Sequence, residues 1–531
     1  MFSCYEVLKE NGSNQFFFFF SKNSVSHVKI TALIDSCVKF VTEAGFDLCG
    51  ITTDQGSNFS KAFKNLGCTV KNPIIKINGK NIIVFPDVPH ILKSTRNIIY
   101  NGNTINTAEG VVCWSHIRKT FNLNFGKSFS LIPKVTESHI YLPPFGGKMK
   151  VKLASQVFSN TMSATMCTLI EKNALPLNAK PTQLFCKNIN DLFDILNSNC
   201  LKSPVMFKRA LETSSPSLAK LRVMYEWIEG WAIFNCHGVN ITKRFKCING
   251  WLQAINATFL LLERVLNEQF RWLMMRNICQ DPLEIFFGVV RQCGGSRQTH
   301  DCSQFVACFQ SVYCRNILVP PVTSNCTADD NEGLLQWSNL DLNQDAHEKA
   351  INDGEVLLDF DCHVSNVVES TEVTNSSSIV DNNALRYVSG YMSRKLARRH
   401  PNCVICLNQN VNYNSTNPDL LYTLKKSYDG ELLPGTGLSC CSDTFFNHCQ
   451  SCDNIFNSIF PHNFHKKGIK KNLMILIESV SEHKFCSEET ADYFNNFFCT
   501  FKINSTLKLW NAKATDPKNK TRQKKKKILH L

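Results

Sequence analysis

The 531-residue chain has no apolar run long enough to cross a bilayer. Its most conspicuous apolar run, FFFFF at residues 16–20, is far shorter than the roughly 20 residues that a membrane-spanning helix needs. The first residues, MFSCYEVLKENGSN, lack the basic and then apolar pattern of a secretory signal. We therefore expect no membrane as a partner and a reducing compartment, in which the 25 cysteines serve as core residues or metal ligands.

Basic residues are nearly absent from one segment. Between Pro321 and Asp381 thirteen acids face a single base, Lys349, which gives this segment a charge of −12. Because the whole chain carries +14, the remainder carries +26. The acidic segment has little periodic apolar pattern and is expected to be a solvated linker. The basic remainder favours a polyanionic partner such as DNA, with a generally basic surface as the alternative.

Residues 15–90 alternate between strand and helix patterns. The apolar run around FFFFF is followed by the helical spacing of VKITALIDSCVKFVTEAGF, the strand LCGITTD, a helix to Leu66 and a strand ending on Asp87. We predict that strands 15–20, 48–54 and 81–87 share one sheet of an α/β core. Acids that follow strands, such as Asp54 and Asp87, lie where α/β folds bind ligands. Asp54 could instead cap the helix that begins near Ser57.

The pattern changes to long helical stretches between Asn97 and Cys279. It is followed by QDPLEIFFGVVRQCGG, which predicts a helix with Asp281 as its N-cap, Pro282 in its first turn and Glu284 one turn in. The chain contains no GxxxxGK[ST] motif, so an ordinary P-loop is excluded.

Five stretches together resemble the signatures of P-element-type transposases, the THAP-domain transposase family. In order they are TTDQGSN, FPDVPHILKSTRN, KLASQVFSN, QDPLEIFFGVVRQCGG and ALRYVSGYMSRKL. The resemblance implies an α/β fold in which an RNase H-like core is interrupted by a mostly helical GTP-binding insertion. It implies DNA and GTP as partners, homo-oligomers in intact relatives, and a nuclear protein.

The resemblance also implies a metal-dependent reaction. Two Asp and one Glu would hold Mg²⁺ or Mn²⁺ for DNA cleavage and strand transfer, because paired divalent ions neutralise the attacking and leaving oxygens. By position, Asp54 is similar to the second catalytic Asp and Glu284 to the closing Glu. Asp87 and Asp281 are auxiliary acids or structural supports. The nucleotide-binding residues stay unassigned, although Lys93 and Arg96 could contact phosphate.

The chain departs from the family pattern at its N-terminus. The family's first catalytic Asp lies on a strand before the one that FFFFF resembles, whereas the residues before Phe16 contain no Asp. Glu6 and Glu10 sit in no recognisable strand, and no THAP finger precedes them. We therefore expect an N-terminally truncated transposase remnant, inactive as given. The alternative is a domesticated, non-catalytic protein of transposase origin that binds nucleic acid or protein.

Two C-x-x-C pairs lie in the C-terminal third. The first is CVIC at 403–406, and the second is CQSC within HCQSC at 448–452. Their spacing is typical of thiolate zinc sites, although chance pairs are common in a chain this rich in cysteine. We predict that four thiols converge on a structural zinc: Cys403, Cys406, Cys449 and Cys452.

The patterns above divide the chain into six parts. We predict an incomplete RNase H-like core at 1–96, a GTP-binding-type insertion at 97–279, the remaining core at 280–320, an acidic linker at 321–381, a Cys-containing region at 382–510 and a basic tail at 511–531.

Overall fold

The chain forms two compact units. In the computed structural model the described residues are 2–9, 12–21, 24–127, 129–144, 146–203, 205–266, 270–293, 301–315, 375–408, 410–411, 418–426, 438, 440–480 and 483–514. Unit 1 comprises Met1–Arg118, Lys134–Ser163 and Pro176–Asp341, and unit 2 comprises Lys119–Pro133, Ala164–Leu175 and Leu342–Leu531. The described residues are mostly helical with small sheets. None of their helices is long and apolar enough to span a membrane.

The first part of the chain carries most of the strands. The elements are β1 (Phe2–Lys9), β2 (Gly12–Phe20), α1 (His27–Glu43), β3 (Gly50–Thr53), α2 (Ser57–Asn65), β4 (Ile74–Ile77), β5 (Lys80–Pro86), α3 (Val88–Tyr100), β6 (Thr104–Thr107), β7 (Gly110–Val112) and α4 (Trp114–Asn124).

Helices dominate from there to residue 315. The elements are α5 (Glu137–Ile140), α6 (Val151–Val157), α7 (Asn160–Glu171), α8 (Lys180–Leu196), α9 (Pro216–Glu229), β8 (Ala232–Phe234), α10 (Cys247–Val265), α11 (Asp281–Cys293) and α12 (Cys302–Arg315).

A three-stranded sheet with the order β3-β5-β4 organises unit 1. β3 and β5 are parallel, and the helix α2 lies between them in the chain, as a parallel connection requires. β4 and β5 form an antiparallel hairpin whose turn residues, Asn78 and Gly79, have φ values of 51° and 78°. Positive φ at both turn residues is the geometry that Asn-Gly favours, because its twist matches that of the strands.

Helices cover this sheet. On one side the buried Ile30, Ile34 and Val38 of α1 and Phe63 of α2 pack in a cluster with Ile82 and other apolar residues of β4 and β5. The helix α10 also packs on β5 and on α3. Side chains of α10 hydrogen-bond the backbone at the sheet, including Gln253 Nε2 to the Val84 carbonyl at 3.1 Å. α10 therefore belongs to the core, although it lies within the predicted insertion, 97–279.

The strand containing FFFFF differs from the prediction. β2 pairs antiparallel with β1 in a separate two-stranded sheet, with Phe2 opposite Phe20, so it does not share a sheet with β3 and β5. The expectation that Glu6 lies in no strand was also wrong, because Glu6 is part of β1. The local signal was a Gly12 turn between two runs rich in strand-forming residues. Glu10 lies outside the described residues.

The helices α11 and α12 pack against each other through aromatic residues. Phe286 and Val290 of α11 and Phe305 of α12 are buried in one cluster. Phe20, at the end of β2, meets Phe305 edge-on, with ring centroids 5.8 Å apart.

Unit 2 is built around the remaining helices. They are α13 (Asn375–Arg399), α14 (Val404–Asn408), α15 (Leu421–Lys426), α16 (Asp443–Asn463), α17 (Ile469–Val480) and α18 (Glu488–Ala514), with a short antiparallel pair, β9 (Asn410–Val411) and β10 (Cys440–Cys441). α13 packs on α15 and α16, and α17 lies between α16 and α18. In α13 the buried Arg386 donates to Asp443 Oδ1 at 2.6 Å and lies 4.0 Å above the Phe446 ring.

Two predicted segments lie largely outside the described residues. Of the acidic linker, 321–381, only 375–381 are described, and they already form the start of α13. Of the basic tail, 511–531, only 511–514 are described, and they end α18. Both predicted boundaries therefore cut into helices, because neither charge nor polarity marks where a buried helix face begins.

Candidate active site

Two acids follow neighbouring strands at one edge of the sheet. β3 and β5 run parallel, with Thr53 opposite Pro86, and Asp54 and Asp87 are the next residues of each strand. The backbone N–H of Asp87 continues the ladder by donating to the Thr53 carbonyl at 2.8 Å. Because neighbouring strands lie about 4.8 Å apart, the two acids share this edge.

Asp54 points its carboxylate out of the sheet, and its side chain is exposed. Its Oδ1 accepts a hydrogen bond from the Gly56 N–H at 3.0 Å. Gly56 is the N-cap of α2, which has no side-chain cap, so the interpretation of Asp54 as the helix cap was wrong. A Cβ at Gly56 would lie only 2.9 Å from Asp54 Oδ1, so glycine permits this tight turn.

Asp87 is buried, with 1 % of its surface exposed. Its Oδ1 accepts from the Gln280 N–H at 2.8 Å, and its Oδ2 accepts from the His90 N–H at 3.2 Å and also contacts His90 Nδ1. Asp87 is thereby the N-cap of α3 and at the same time fixes the segment before α11. Both of its oxygens are engaged by protein groups, which favours the supporting role over that of a metal ligand.

His90 links Asp87 to Glu284. Its Nδ1 contacts Asp87, and its Nε2 lies 3.6 Å from Glu284 Oε1. Burial alone would lower the pKa of His90, but the hydrogen bond and charge of Asp87, assisted by Glu284, raise this pKa above its usual value. The sequence held a signal for this residue, since a histidine three positions after a helix-capping acid lies within reach of that acid.

The start of α11 is anchored to β3. Thr52 Oγ1 donates to the Ile278 carbonyl at 2.5 Å, and Gln280 Nε2 donates to the Thr52 carbonyl at 3.4 Å. The Glu284 N–H donates to the Gln280 carbonyl at 3.0 Å, so Glu284 lies one helical turn after Gln280. These contacts hold the start of α11 near the end of β3, and the contact with His90 places Glu284 near Asp87.

Asp281 differs in two ways from the prediction. The helix begins at Asp281 itself, so the residue in the N-cap position is Gln280. Asp281 is also buried, with 7 % of its surface exposed. Burial, together with the charges of Asp281 and Asp87, raises the pKa of the neighbouring Cys279 well above its usual value. Asp281 is therefore a buried residue of the first turn of α11, and its role as auxiliary acid or structural support stays a prediction.

The residues at this edge offer some, but not all, of the ligands that a hard divalent cation needs. Asp54 is exposed and Glu284 is half-buried, and both offer the carboxylate oxygens that Mg²⁺ and Mn²⁺ prefer. In the described part of the chain, however, no three acidic or histidine ligand atoms gather within 4.8 Å at this edge. The assignment of Asp54 and Glu284 as metal ligands therefore stays a prediction.

Lys93 and Arg96 lie on α3, and both are buried. A side chain that contacts the phosphate of a bound nucleotide would instead be exposed. Arg96 donates through Nη2 to the carbonyls of Gly147 and Lys148, at 3.4 and 3.1 Å. Burial lowers the pKa of Arg96 to about 10. Its guanidinium supports the loop at 147–148, and the nucleotide-binding residues stay unassigned.

The predicted cysteine set is not the one that the structure gathers. Cys403 and Cys406 lie with Cys486, all three ligand atoms being within 4.8 Å of one another. Cys449 and Cys452 are outside this group, on the buried face of α16. Sequence spacing missed Cys486 because it lies 80 residues beyond Cys406 and is not part of a C-x-x-C pair.

Comparisons with known proteins match both parts of the predicted architecture. The family model of the TNP-like GTP-binding insertion domain matches residues 89–209, and that of the TNP-like RNase H C-terminal domain matches residues 277–314. The first begins on α3, and the second contains Glu284 and α11.

Two curated relatives are similar to this chain. The Transposable element P transposase of Drosophila melanogaster is 26 % identical over 372 residues, which are 68 % of this chain and 47 % of the relative. The DNA transposase THAP9 of Homo sapiens is 23 % identical over 321 residues, 56 % of this chain and 34 % of the relative. The chain thus spans half or less of the length of these relatives.

One solved structure is also similar. A chain of the Drosophila P element transposase strand transfer complex is 23 % identical, with a TM-score of 0.49, over 57 % of this chain and 67 % of that one. The ordered motifs, the two domain matches and the two curated relatives agree. In the matched segments this chain is similar to P-element-type transposases.

Proposed function

We propose that this chain is a DNA transposase remnant in which Asp54 and Glu284 correspond to two of the three acids that act on the phosphodiester backbone of DNA in intact relatives. The observation that supports the proposal is that Asp54 and Asp87 follow neighbouring parallel strands, and that His90 contacts both Asp87 and Glu284. Carboxylates presented beyond the strand ends of an α/β sheet are placed for catalysis on a bound ligand.

Mg²⁺ or Mn²⁺, when bound by these acids, would neutralise charge on the attacking and leaving oxygens of the phosphodiester. The protein's own residues divide the remaining work. Asp54 and Glu284 would hold the cation, His90 positions Glu284, and Asp87 positions His90. The contacts of Thr52 and Gln280 keep α11 at the sheet edge, so that the acids keep their relative place.

A site with only Asp54 and Glu284 as acids would hold a cation more weakly than the three acids of the family pattern. We therefore propose that the chain, as given, cleaves little or no DNA. The same observation favours the second candidate function, a domesticated non-catalytic protein that binds nucleic acid or protein.

The wider functional assignments follow from the same proposal. The +26 charge outside the acidic segment supports DNA binding through phosphate contacts. The region matched by the insertion-domain model, 89–209, would bind GTP. DNA as the partner, together with the lysine-rich C-terminal sequence, supports a nuclear location, and self-association would bring two DNA ends together.

The proposal is tested with the full chain and two assays. Mn²⁺ binding, followed by electron paramagnetic resonance, is expected to be weak in the native protein and lost in Asp54→Asn and in Glu284→Gln. Asp35→Asn, at an exposed acid on α1, is the matched control and should bind Mn²⁺ like the native protein. Equal Mn²⁺ binding by all four proteins would overturn the assignment of the site.

The second assay separates the two functions. Labelled DNA is incubated with the chain and Mg²⁺ or Mn²⁺, and binding is measured at rising salt. We expect binding that weakens steeply with salt, by counterion release, and no cleavage products. Cleavage that disappears in Glu284→Gln would refute the proposed inactivity and show that another acid completes the site. Binding insensitive to salt would refute the phosphate-driven mode.

A further inference from the structure

Three cysteines from distant positions meet in unit 2. Cys403 follows the end of α13, Cys406 lies in α14, and Cys486 lies just before α18. All three ligand sulfurs are within 4.8 Å of one another, and the sulfurs of Cys406 and Cys486 are 3.4 Å apart. The first two are separated by two residues, and the third comes from 80 positions further along the chain.

The geometry fits tetrahedral zinc. With zinc–sulfur bonds of about 2.3 Å, the sulfurs of such a site stand about 3.8 Å apart. The observed separations, 3.4 Å for Cys406 and Cys486 and no more than 4.8 Å for any pair, bracket this value. A C-x-x-C pair completed by a ligand from a distant segment is the common layout of a structural zinc site.

His400 is placed to be the fourth ligand. It precedes Cys403 by three residues, and the Cys403 N–H donates to the His400 carbonyl at 3.1 Å, which closes the turn between them. The His400 Nε2 lies 3.2 Å from Thr490 Oγ1, and the same hydroxyl lies 3.1 Å from the Cys486 sulfur. His400 thus reaches the sulfur cluster through one shared hydroxyl, and a rotation of its side chain would replace that bridge by direct ligation.

The cluster lies where the end of α13 meets the start of α18. Near it, Arg399 at the end of α13 pairs with Glu489 of α18 at 3.1 Å and lies 4.4 Å from the Tyr493 ring centroid. Arg399 and Glu489 are both exposed, and such surface pairs contribute little to stability. A bound metal would add a stronger attachment, since metal binding free energy becomes folding free energy.

We propose that His400, Cys403, Cys406 and Cys486 bind one structural Zn²⁺, which fastens the end of α13 to the start of α18. On binding, the thiols release their protons to solvent and bind as thiolates, while His400 binds as neutral imidazole. The site has no part in the reaction proposed for Asp54 and Glu284, so either proposal can fail without the other.

The test uses the full chain purified without chelators, and the metal content is measured by mass spectrometry. We expect about one zinc per chain in the native protein and its loss in Cys406→Ser and in Cys486→Ser. Two controls should keep their zinc: Cys236→Ser, at an exposed thiol, and Cys449→Ala, which removes a member of the alternative cysteine set. Loss of zinc from Cys449→Ala with retention in Cys486→Ser would overturn the proposed ligand set.

Two further measurements keep the test decisive if a variant folds poorly. Co²⁺ is substituted into the native protein, where three thiolates and one imidazole give a visible spectrum that should shift in His400→Ala. Removing zinc with a chelator should lower the melting temperature of the native protein and of Cys236→Ser. A zinc-free native protein, or one whose Cys406 and Cys486 form a disulfide under reducing conditions, would refute the site.

Discussion

Replacing Asp87 by alanine should destabilise unit 1 severely, although Asp87 is not placed to bind substrate. Its carboxylate is buried and accepts from the Gln280 and His90 N–H groups, at 2.8 and 3.2 Å, while also contacting the His90 ring. Hydrogen bonds to a charged group contribute about 1.5–3 kcal/mol each, and the Asp87→Ala change leaves buried donors unpaired. We therefore expect the free energy of unfolding to fall by about 3–5 kcal/mol.

The matched comparison is Asp54→Ala at the same sheet edge. Asp54 is exposed and accepts one backbone hydrogen bond, so its loss should cost about 1 kcal/mol or less. The free energy of unfolding of both variants is measured by urea denaturation of the full chain. A probe in unit 1 reports the unfolding. Equal destabilisation by the two changes, or a loss below about 1 kcal/mol in Asp87→Ala, would refute the supporting role of Asp87.

The pH dependence gives a second check of the same contact. Because the pKa of His90 is raised in the folded state, its protonated form stabilises the fold at pH values below its unfolded pKa. This contribution should be lost as the pH rises through the higher, folded pKa. In Asp87→Asn the pKa of His90 should fall, and the loss of stability above neutral pH should shrink. An unchanged His90 titration, observed by NMR, would contradict this account.

Two further predictions concern other parts of unit 1. Gly250→Ala should displace the flexible end of the Gln55 side chain, whose Nε2 would lie 2.2 Å from the new Cβ, and so break its hydrogen bond to the Lys246 carbonyl; the cost should stay below about 1 kcal/mol, and a larger loss of stability would contradict this account. Cys113 should be alkylated faster than Cys68 near neutral pH: burial would raise the pKa of Cys113, but hydrogen bonding to His116 lowers it to about 7, whereas burial raises the pKa of Cys68 to about 11. Mass spectrometry of iodoacetamide-treated protein should show Cys113 reacting well before Cys68, and the reverse order would refute the assigned environment.

Local patterns predicted the elements that carry the site. An apolar run followed by an acid predicted β3 and β5 with Asp54 and Asp87 at their ends, and these strands are confirmed. The turn residues Asp281 and Pro282 predicted the start of α11 to within one residue. Such features depend on neighbouring residues, which is why a single sequence can reveal them.

Features that depend on distant partners were missed or predicted wrongly. The cysteines were paired by spacing, but Cys486 joins Cys403 and Cys406 because α18 packs beside the end of α13. β4 was overlooked, although the Asn-Gly dipeptide at 78–79 is a strong hairpin signal. The supporting role of Asp87 depends on Gln280, 193 residues away, and nothing in the local sequence indicates that contact.

The packing of α10 on β5 has a consequence for how the protein folds as it is synthesised. The sheet at 50–86 receives part of its cover from residues 247–265, so contacts such as Gln253 to Val84 close a loop of 169 residues. Long-range closure of this kind is slow and entropically costly. At a translation rate of about 5–20 residues per second, roughly 10–40 seconds pass between the synthesis of the sheet and the synthesis of this helix. During that interval its apolar strands are open to chaperones and to aggregation.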